Sequence, residues 1–233
     1  GVETNNSATT WIAGGAAEAL RNVVSGNTGN GFNLVLALNP IFKGNYIGIA
    51  ADGVTVTANG GSGIDVTAVI SLTVGGTVAG EGNVISGNTT QGVSIGGAEA
   101  FTATFLANVI GLNAAGTAAV ANANGIKNTD ANLVLVVGDG TVAGRNVIAG
   151  NTTNDINSNG GTFTLLGNYI GVGTDGTTVL SNNTNPIQVT SLTAATIGGA
   201  DALLKNIISN TNSIGVVATT FTFAAALDLL NTW

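Results

Sequence analysis

Three carboxylates are the residues of this sequence best placed to do chemistry: Asp52, Asp139 and Asp175, each of which directly precedes a glycine. Carboxylates brought together in one groove could act as general acid and base or bind Ca²⁺. Asp-Gly is also the usual composition of a tight turn. Asn113 stands in the corresponding loop of the second repeat. A carboxylate that the chemistry required would not be replaced by an amide there. We therefore interpret these aspartates as turn residues and predict no catalytic residue and no enzymatic activity.

The other residue types that carry out catalysis or bind metals are missing. The chain has no His and no Cys, which excludes a Ser-His-Asp triad and the usual zinc sites. Arg21, Arg145 and Lys205 precede equivalent asparagines and could hold an acidic polymer. Pairing with local acids such as Glu18 and Asp201 is the simpler interpretation. We predict no cofactor and no metal ion.

Asparagines recur at fixed places and could bind sugars or carry them. Asn27, Asn88 and Asn151 are equivalent, yet asparagines stacked along a solenoid commonly hydrogen-bond to one another. We expect such stacks here. The possible glycosylation sites, in Asn-X-Ser/Thr sequons, are Asn5, Asn88, Asn151 and Asn182. A chain this rich in Asn and Thr produces sequons by chance, so we give them little weight.

Threonine pairs raise a different binding chemistry. Thr-Ala-Thr at 102–104 and Thr-Phe-Thr at 162–164 resemble the threonine ranks on the flat faces of ice-binding solenoids. The first repeat has Asn39 and Ile41 in those positions, and we expect the pair to recur only in every third coil. Ice binding is therefore kept as a lower-ranked alternative, together with a polysaccharide lyase or hydrolase.

Composition favours an extracellular β-protein. Of the 233 residues, 44% are hydrophobic and 7% charged, and the net charge of −7 comes without a basic cluster, so we predict no nucleic-acid partner. No apolar run approaches the roughly 18 residues that span a bilayer, so we predict no membrane insertion. Because the chain has no Met, we expect Gly1 to follow a removed signal peptide and the protein to be extracellular or at the cell surface.

A repeat of about sixty residues organises the chain. Arg-Asn-Val-Val-Ser-Gly-Asn at 21–27 returns in similar form at 82–88, 145–151 and, shortened, at 205–210. A second motif, Gly-Asn-Tyr-Ile-Gly at 44–48, returns at 107–111 and 167–171. Each motif is a short apolar run closed by Gly or Asn, which predicts a short strand followed by a turn. We divide the single domain, 1–233, into repeats of about 11–70, 71–132 and 133–191 and a partial repeat over 192–233.

Three strand-turn elements per repeat predict a parallel β-solenoid with about twenty residues in each coil. Eleven coils at about 4.8 Å would form a rod of roughly 50 Å. Residues three coils apart should then stack in inward columns that fill the core. The predicted columns are Phe42, Phe105 and Leu165, and Ile47, Ile110, Ile170 and Leu230.

These motifs resemble the right-handed parallel β-helix repeats of secreted and surface-attached bacterial proteins, which share their fold with pectate lyases. The resemblance covers residues 11 to about 230 and implies an all-β, single right-handed parallel β-helix. It implies little about activity, because the same scaffold carries lyases, hydrolases, adhesins and inert stalks.

The two ends of the predicted solenoid suggest a function. The fourth repeat is interrupted in an apolar tail, and we align Leu230 with Ile170 and Ile12 with Ile197, so that a second copy could continue the coil. The function predicted is a non-catalytic extracellular subunit that assembles head to tail into a filament or stalk. The predicted self-assembly interface comprises Val2, Trp11, Ile12, Phe221, Phe223, Leu227, Leu229, Leu230 and Trp233. The first alternative is a surface adhesin that binds surface polysaccharide.

Overall fold

The computed structural model describes residues 1–5, 10–35, 38–97, 99–181, 185–209, 214–219 and 227–230, with only the backbone at Asn5 and at 227–230. These residues form 23 short strands that follow one another in coils of three. Coils 1 and 2 contain β1 (Val2–Asn5), β2 (Thr10–Gly14), β3 (Val23–Val24), β4 (Phe32–Val35), β5 (Asn39–Lys43) and β6 (Tyr46–Ile47). Coils 3 and 4 contain β7 (Ile64–Thr67), β8 (Ser71–Gly75), β9 (Val84–Ile85), β10 (Gln91–Gly96), β11 (Thr102–Leu106) and β12 (Val109–Ile110).

The second half of the chain repeats this order. Coils 5 and 6 contain β13 (Asn124–Asn128), β14 (Val134–Val137), β15 (Val147–Ile148), β16 (Asn154–Asn159), β17 (Thr162–Leu165) and β18 (Tyr169–Ile170). Coil 7 contains β19 (Ile187–Thr190), β20 (Ala194–Gly198) and β21 (Ile207–Ile208), and β22 (Val216–Thr219) and β23 (Leu227–Leu230) begin an eighth coil. Helical structure in the described residues is confined to two short 3-10 turns, Glu18–Leu20 and Ala202–Leu204.

Three parallel sheets run along the solenoid. The first strands of successive coils pair to form the eight-stranded sheet 1, the second strands form the eight-stranded sheet 2, and the third strands form the seven-stranded sheet 3. Neighbouring parallel strands of one sheet need a crossover connection. Here the chain makes that connection by passing through the other two sheets before it returns to the first. The all-β parallel solenoid predicted from the repeat is confirmed.

The coil is longer than predicted, because each sixty-residue repeat makes two coils rather than three. Asparagines stacked in neighbouring coils show this directly: their sequence separations alternate as 23, 38, 25, 38, 22 and 38 residues. Eight levels at about 4.8 Å make a rod of roughly 34 Å, shorter than the rod of eleven coils expected from the motifs.

The core consists of the inward columns of the three sheets. In a strand, successive side chains point to opposite faces, and the burial of sheet 2 strands alternates accordingly. The inward column of sheet 2 is Ala13, Phe42, Val74, Phe105, Val137, Leu165 and Ile197. All of these are buried, as are Ile47, Ile110 and Ile170 in the column of sheet 3.

The predicted core columns are therefore confirmed as buried, but their members lie two coils apart instead of three. Leu230 was assigned to the wrong column. It follows Leu229 in β23, a strand of sheet 2, and pairs with Gly198 rather than continuing the column of Ile170 in sheet 3.

Coils 2, 4 and 6 carry an additional loop between sheets 3 and 1, which explains the alternating separations. We call the segments 49–57, 112–120 and 172–180 the outer loops; an antiparallel bridge closes each of them. They fold over the outer side of sheet 3, where Leu112 covers Val147 and Val120 covers Val84. Successive outer loops bond to each other, as in Ala114 N–H to Gly53 O at 2.8 Å. The outer loops thus form a second layer.

Candidate functional site

A ladder of asparagines, all of them buried except the first, occupies the corner between sheets 2 and 3. Its interior members donate from the backbone N–H and from Nδ2 to Oδ1 of the next rung. Asn83 reaches Asn108 in this way at 3.1 and 2.9 Å, and its Nδ2 also donates to Phe42 O of the preceding coil at 2.9 Å. The rungs are Asn22, Asn45, Asn83, Asn108, Asn146, Asn168 and Asn206. The asparagine stacking expected from the sequence is present in seven successive coils.

A second ladder lies at the corner between sheets 3 and 1. Its rungs are Asn27, Asn59, Asn88, Asn122 and Asn151. Among the residues that the structure describes, the last rung is Asn151, whose Nδ2 donates to Asp155 Oδ1 at 2.8 Å. Both ladders point the same way, because each hydrogen bond from rung to rung runs from Nδ2 of one coil to Oδ1 of the following coil.

Two of the sequon asparagines belong to this second ladder. Asn88 and Asn151 are buried, and their side-chain amides are held by hydrogen bonds on both sides. A glycan on either amide would displace it from the ladder. Asn5 is the last residue of β1, and only its backbone is described. Asn182 lies outside the described residues.

The first coil presents an apolar surface at the end of the rod. We define the end surface as Val2, Trp11, Ala13, Leu20 and Val24, which border one open depression over Phe32. Trp11 packs edge-on against Phe32 and Phe42, with ring centroids 5.7 and 5.3 Å apart. Val2 is 39% exposed and Leu20 58% exposed. Within the described chain, no donor reaches Asn22 Oδ1, so the first ladder has an open acceptor at this end.

The structure describes the side chains of only part of the predicted interface. Val2 and Trp11 lie on the end surface, and Ile12 borders the same depression. Ile12 does not face the core as its alignment with Ile197 required: it pairs with Ile41 on the outer side of sheet 2 and is 59% exposed, while Ala13 holds the inward position. In the tail, Leu227, Leu229 and Leu230 lie in β23, of which only the backbone is described, and Phe221, Phe223 and Trp233 fall outside the described residues.

The three aspartates each close their own turn. Asp52 accepts from the Thr55 hydroxyl at 2.5 Å and from the N–H groups of Val54 and Thr55. Asp175 is bonded in the same way in the outer loop of coil 6. Asp139 accepts from the N–H and hydroxyl of Thr141 in a corner between sheets 2 and 3. Asp52 and Asp175 thus lie on the outer loops and Asp139 at a different corner, each holding its own turn.

These hydrogen bonds make the outer loops sensitive to acid. The Thr55 hydroxyl first, and then the backbone N–H groups, lower the pKa of Asp52 below its ordinary value of 3.8. The Thr178 hydroxyl and the Thr177 and Thr178 N–H groups likewise lower the pKa of Asp175. A lowered pKa in the folded state stabilises the fold above the unfolded-state pKa. That stabilisation is lost as the pH falls through the folded-state pKa.

We therefore expect the turns of Asp52 and Asp175 to open only when the pH is lowered beyond 3.8. The amide proton shifts of Thr55 and Thr178 in NMR spectra recorded from pH 7 downward would report the transition. The loop of coil 4 is the control, because Asn113 Oδ1 accepts from Thr117 N–H at 2.8 Å without a titrating group. An equal acid shift of Thr117 would contradict the assignment to the carboxylates.

Two arginine–tyrosine stacks lie beside the outer loops, and the sequence interpretation missed them; the stack of Arg21 and Tyr46 lines an open groove. The Arg21 guanidinium carbon lies 4.2 Å from the centre of the Tyr46 ring, and that of Arg145 lies 4.3 Å from the centre of Tyr169. Arg21 also pairs with Glu18 at 3.1 Å, as predicted. The sequence does indicate the stacks, because Arg and Tyr occur together or not at all: the repeat with Gly82 at the arginine position has Val109 at the tyrosine position.

Threonines on the outer side of sheet 2 recur more often than expected. A single coil lies between Thr102 and Thr162, where two were expected, and Val134 occupies the equivalent position in that coil. The expectation of a threonine rank in every third coil was wrong for the same reason as the coil length. Their inward neighbours Ala103 and Phe163 are buried, as predicted.

Among the residues that the structure places, no group of three or more His, Cys, Asp or Glu could hold a metal ion. In the same part of the chain, no helix is long and apolar enough to cross a membrane. No protein-family model, curated protein or solved structure matches this chain.

Proposed function

We propose that this chain is a non-catalytic structural unit that works outside the cell and assembles head to tail with further copies into a filament or stalk. The observation that carries the proposal is the end surface of coil 1. It combines exposed apolar side chains with an unpaired strand edge and the open acceptor of Asn22.

The direction of the strands supports stacking along the axis. All three sheets are parallel, and β22 and β23 pair with coil 7 in the same sense as β4 and β5 pair with coil 1. A second copy placed coaxially therefore meets coil 1 with its strands in the direction that parallel pairing needs. Such a contact joins two different surfaces and does not close, so it propagates.

The apolar residues supply the driving force. Trp11, Val2 and Leu20 would each contribute on the order of 1.5–3 kcal/mol when fully buried, before the entropy of association is subtracted. A hydrogen bond to Asn22 Oδ1 and strand pairing at β1, β2 and β3 would fix the orientation of the incoming copy.

Charge on the end surface tests this proposal. We expect the unaltered chain to form uniform fibres in negatively stained micrographs, and the double variant Val2→Asp, Leu20→Asp to remain monomeric by light scattering. The carboxylates would lie in a dry contact without partners, which is costly. Circular dichroism should show that the variant keeps its β-structure.

The matched control places the same charges on the side of the rod. Val54 and Val142 are 59% and 66% exposed, and neither borders the end surface. The variant Val54→Asp, Val142→Asp should still form fibres. Fibres from the end-surface variant, or a strictly monomeric unaltered chain at high concentration, would contradict the proposal.

Polysaccharide binding is the second candidate, and the arginine–tyrosine stacks beside the outer loops favour it. Arg145 Nε donates to Gly167 O at 3.0 Å and an Nη donates to Tyr169 Oη at 2.9 Å. These bonds hold the guanidinium over the ring, and the pair could together contact a sugar. Retention of the chain on immobilised polysaccharide, lost in Arg145→Ala, would support this function over a purely structural one.

A further inference from the structure

The outer side of sheet 2 carries a regular array of small side chains. Two outward positions in each strand are separated by one inward residue, and they stack in register from coil 3 to coil 7. We call these positions the flat face. It consists of Ser71, Thr73, Thr102, Thr104, Val134, Val136, Thr162, Thr164, Ala194 and Thr196.

The flat face is a two-dimensional lattice. Neighbouring coils are about 4.8 Å apart, and alternate residues of one strand are about 6.6 Å apart. Threonine and valine branch at Cβ and have few rotamers, so the backbone sets where their methyl and hydroxyl groups lie. The face therefore places small hydroxyl-bearing and methyl-bearing side chains at fixed spacings over five coils.

The chemistry of the flat face is uniform and uncharged. None of its ten residues is charged or aromatic. Ser71 donates to Asn39 Oδ1, whereas no threonine hydroxyl of the flat face bonds to another group in the residues that the structure describes. These hydroxyls are left to water, with methyl groups beside them.

The outer side of sheet 1 provides the contrast within the same molecule. Its central column is polar and partly charged: Asn33, Asp65, Ser94, Lys127, Asn157 and Gln188. Both outer sides stack at the same strand spacing, so their difference lies in side-chain chemistry. Asn39 and Ile41 bound the flat face on one side, and Asp228 pairs with Thr196 on the other.

We propose that the flat face binds the surface of ice. A rigid lattice of alternating hydroxyl and methyl groups can hold a layer of water in crystalline order, because each hydroxyl anchors a molecule and each methyl restricts its neighbours. Charged side chains would bind water in other orientations, and the flat face has none. Its lack of aromatic rings argues against a crystalline polysaccharide, for which stacking rings are the usual contact.

The test compares two double variants with lysines in coils 4 and 6. Thr104→Lys with Thr164→Lys interrupts the flat face, and Ser94→Lys with Asn157→Lys adds the same charge to the outer side of sheet 1. Thermal hysteresis and inhibition of ice recrystallisation are measured for all three proteins. We expect activity in the unaltered chain and in the sheet 1 variant, and its loss in the flat-face variant, with unchanged circular dichroism.

Three results would overturn the proposal. The unaltered chain could lack both activities, the two lysine variants could lose activity equally, or the chain could bind crystalline cellulose in a pull-down without acting on ice. Ice binding does not depend on head-to-tail assembly, because the flat face lies along the side of the rod. The monomeric variant Val2→Asp, Leu20→Asp should therefore keep its activity on ice.

Discussion

Replacing Asn108 by alanine is expected to lower the free energy of unfolding by about 3–5 kcal/mol, because several buried groups lose their partners at once. Asn108 Oδ1 accepts from the N–H and Nδ2 of Asn83, and its own Nδ2 donates to Val74 O and to Asn146 Oδ1. Alanine leaves two donors of Asn83 without partners in a site closed to water, and it also removes one hydrogen bond to the Val74 carbonyl. Urea unfolding would measure the loss.

Asn22 is the matched control at the first rung of the same ladder. It donates to Asn45 Oδ1 from N and Nδ2 at 3.2 and 2.9 Å, and it is exposed. Water can replace the bonds that Asn22→Ala removes, so we expect a loss of about 1 kcal/mol. Equal losses at the two rungs would mean that burial does not determine the strength of the ladder.

The substitution Gly75→Ala should cost about 3 kcal/mol or more, because it combines an unfavourable backbone angle with a steric clash. Gly75 has φ of 89° where β8 ends and the chain turns out of sheet 2. A Cβ at this position would lie 1.7 Å from Leu106 O, a backbone atom of the next coil. The backbone of two coils would have to separate to make room.

Gly29→Ala is the control for this substitution. A Cβ on Gly29 meets no atom within 4 Å, and its φ is not positive. Alanine there restricts the unfolded chain without a clash and should leave the melting temperature unchanged or slightly raised. Comparable destabilisation by both substitutions would contradict a role for close coil-to-coil contact at Gly75.

Stacking in register made the core predictable from the sequence. Phe42, Phe105 and Ile110 stand in motifs that end in Gly or Asn, and apolar runs of that kind are typical of buried strands. Any parallel solenoid places equivalent motif residues in one column. Their inward direction could therefore be predicted without knowing how many coils separate them.

The number of coils could not be obtained from the same motifs. Sheet 1 has strands without a shared apolar sequence: Ile64–Thr67 alternates clearly, whereas Asn124–Asn128 places Asn128 on the inward side, where it bonds to Ser158. Each sixty-residue repeat contains six strands, so counting three similar elements missed half of them, including both strands of sheet 1. The outer loops added to the error, because they lengthen alternate coils without contributing a sheet strand.

The candidate sites differ in what the sequence revealed. The asparagine ladders could be predicted because asparagines recur at equivalent places in the motifs. The structure adds the direction of their hydrogen bonds. The extent of the flat face could not be recognised in the sequence, because Val134 and Val136 interrupt the threonine pattern. In the structure these valines have the same branched shape as threonine. Ile12 was assigned inward because its neighbours Trp11 and Ala13 are also apolar, which removes the alternation that distinguishes the two faces of a strand.

The common direction of the two asparagine ladders gives the rod an electrical polarity. An amide group has a dipole of about 3.5 D, and in both ladders the side-chain carbonyl points toward coil 1 while the N–H that bonds to the next rung points toward coil 7. Strand hydrogen bonds run both ways along the axis and largely cancel, whereas the ladder dipoles add. Two rods side by side therefore attract each other when they are antiparallel and repel when they are parallel, so lateral bundles of this molecule would alternate in direction.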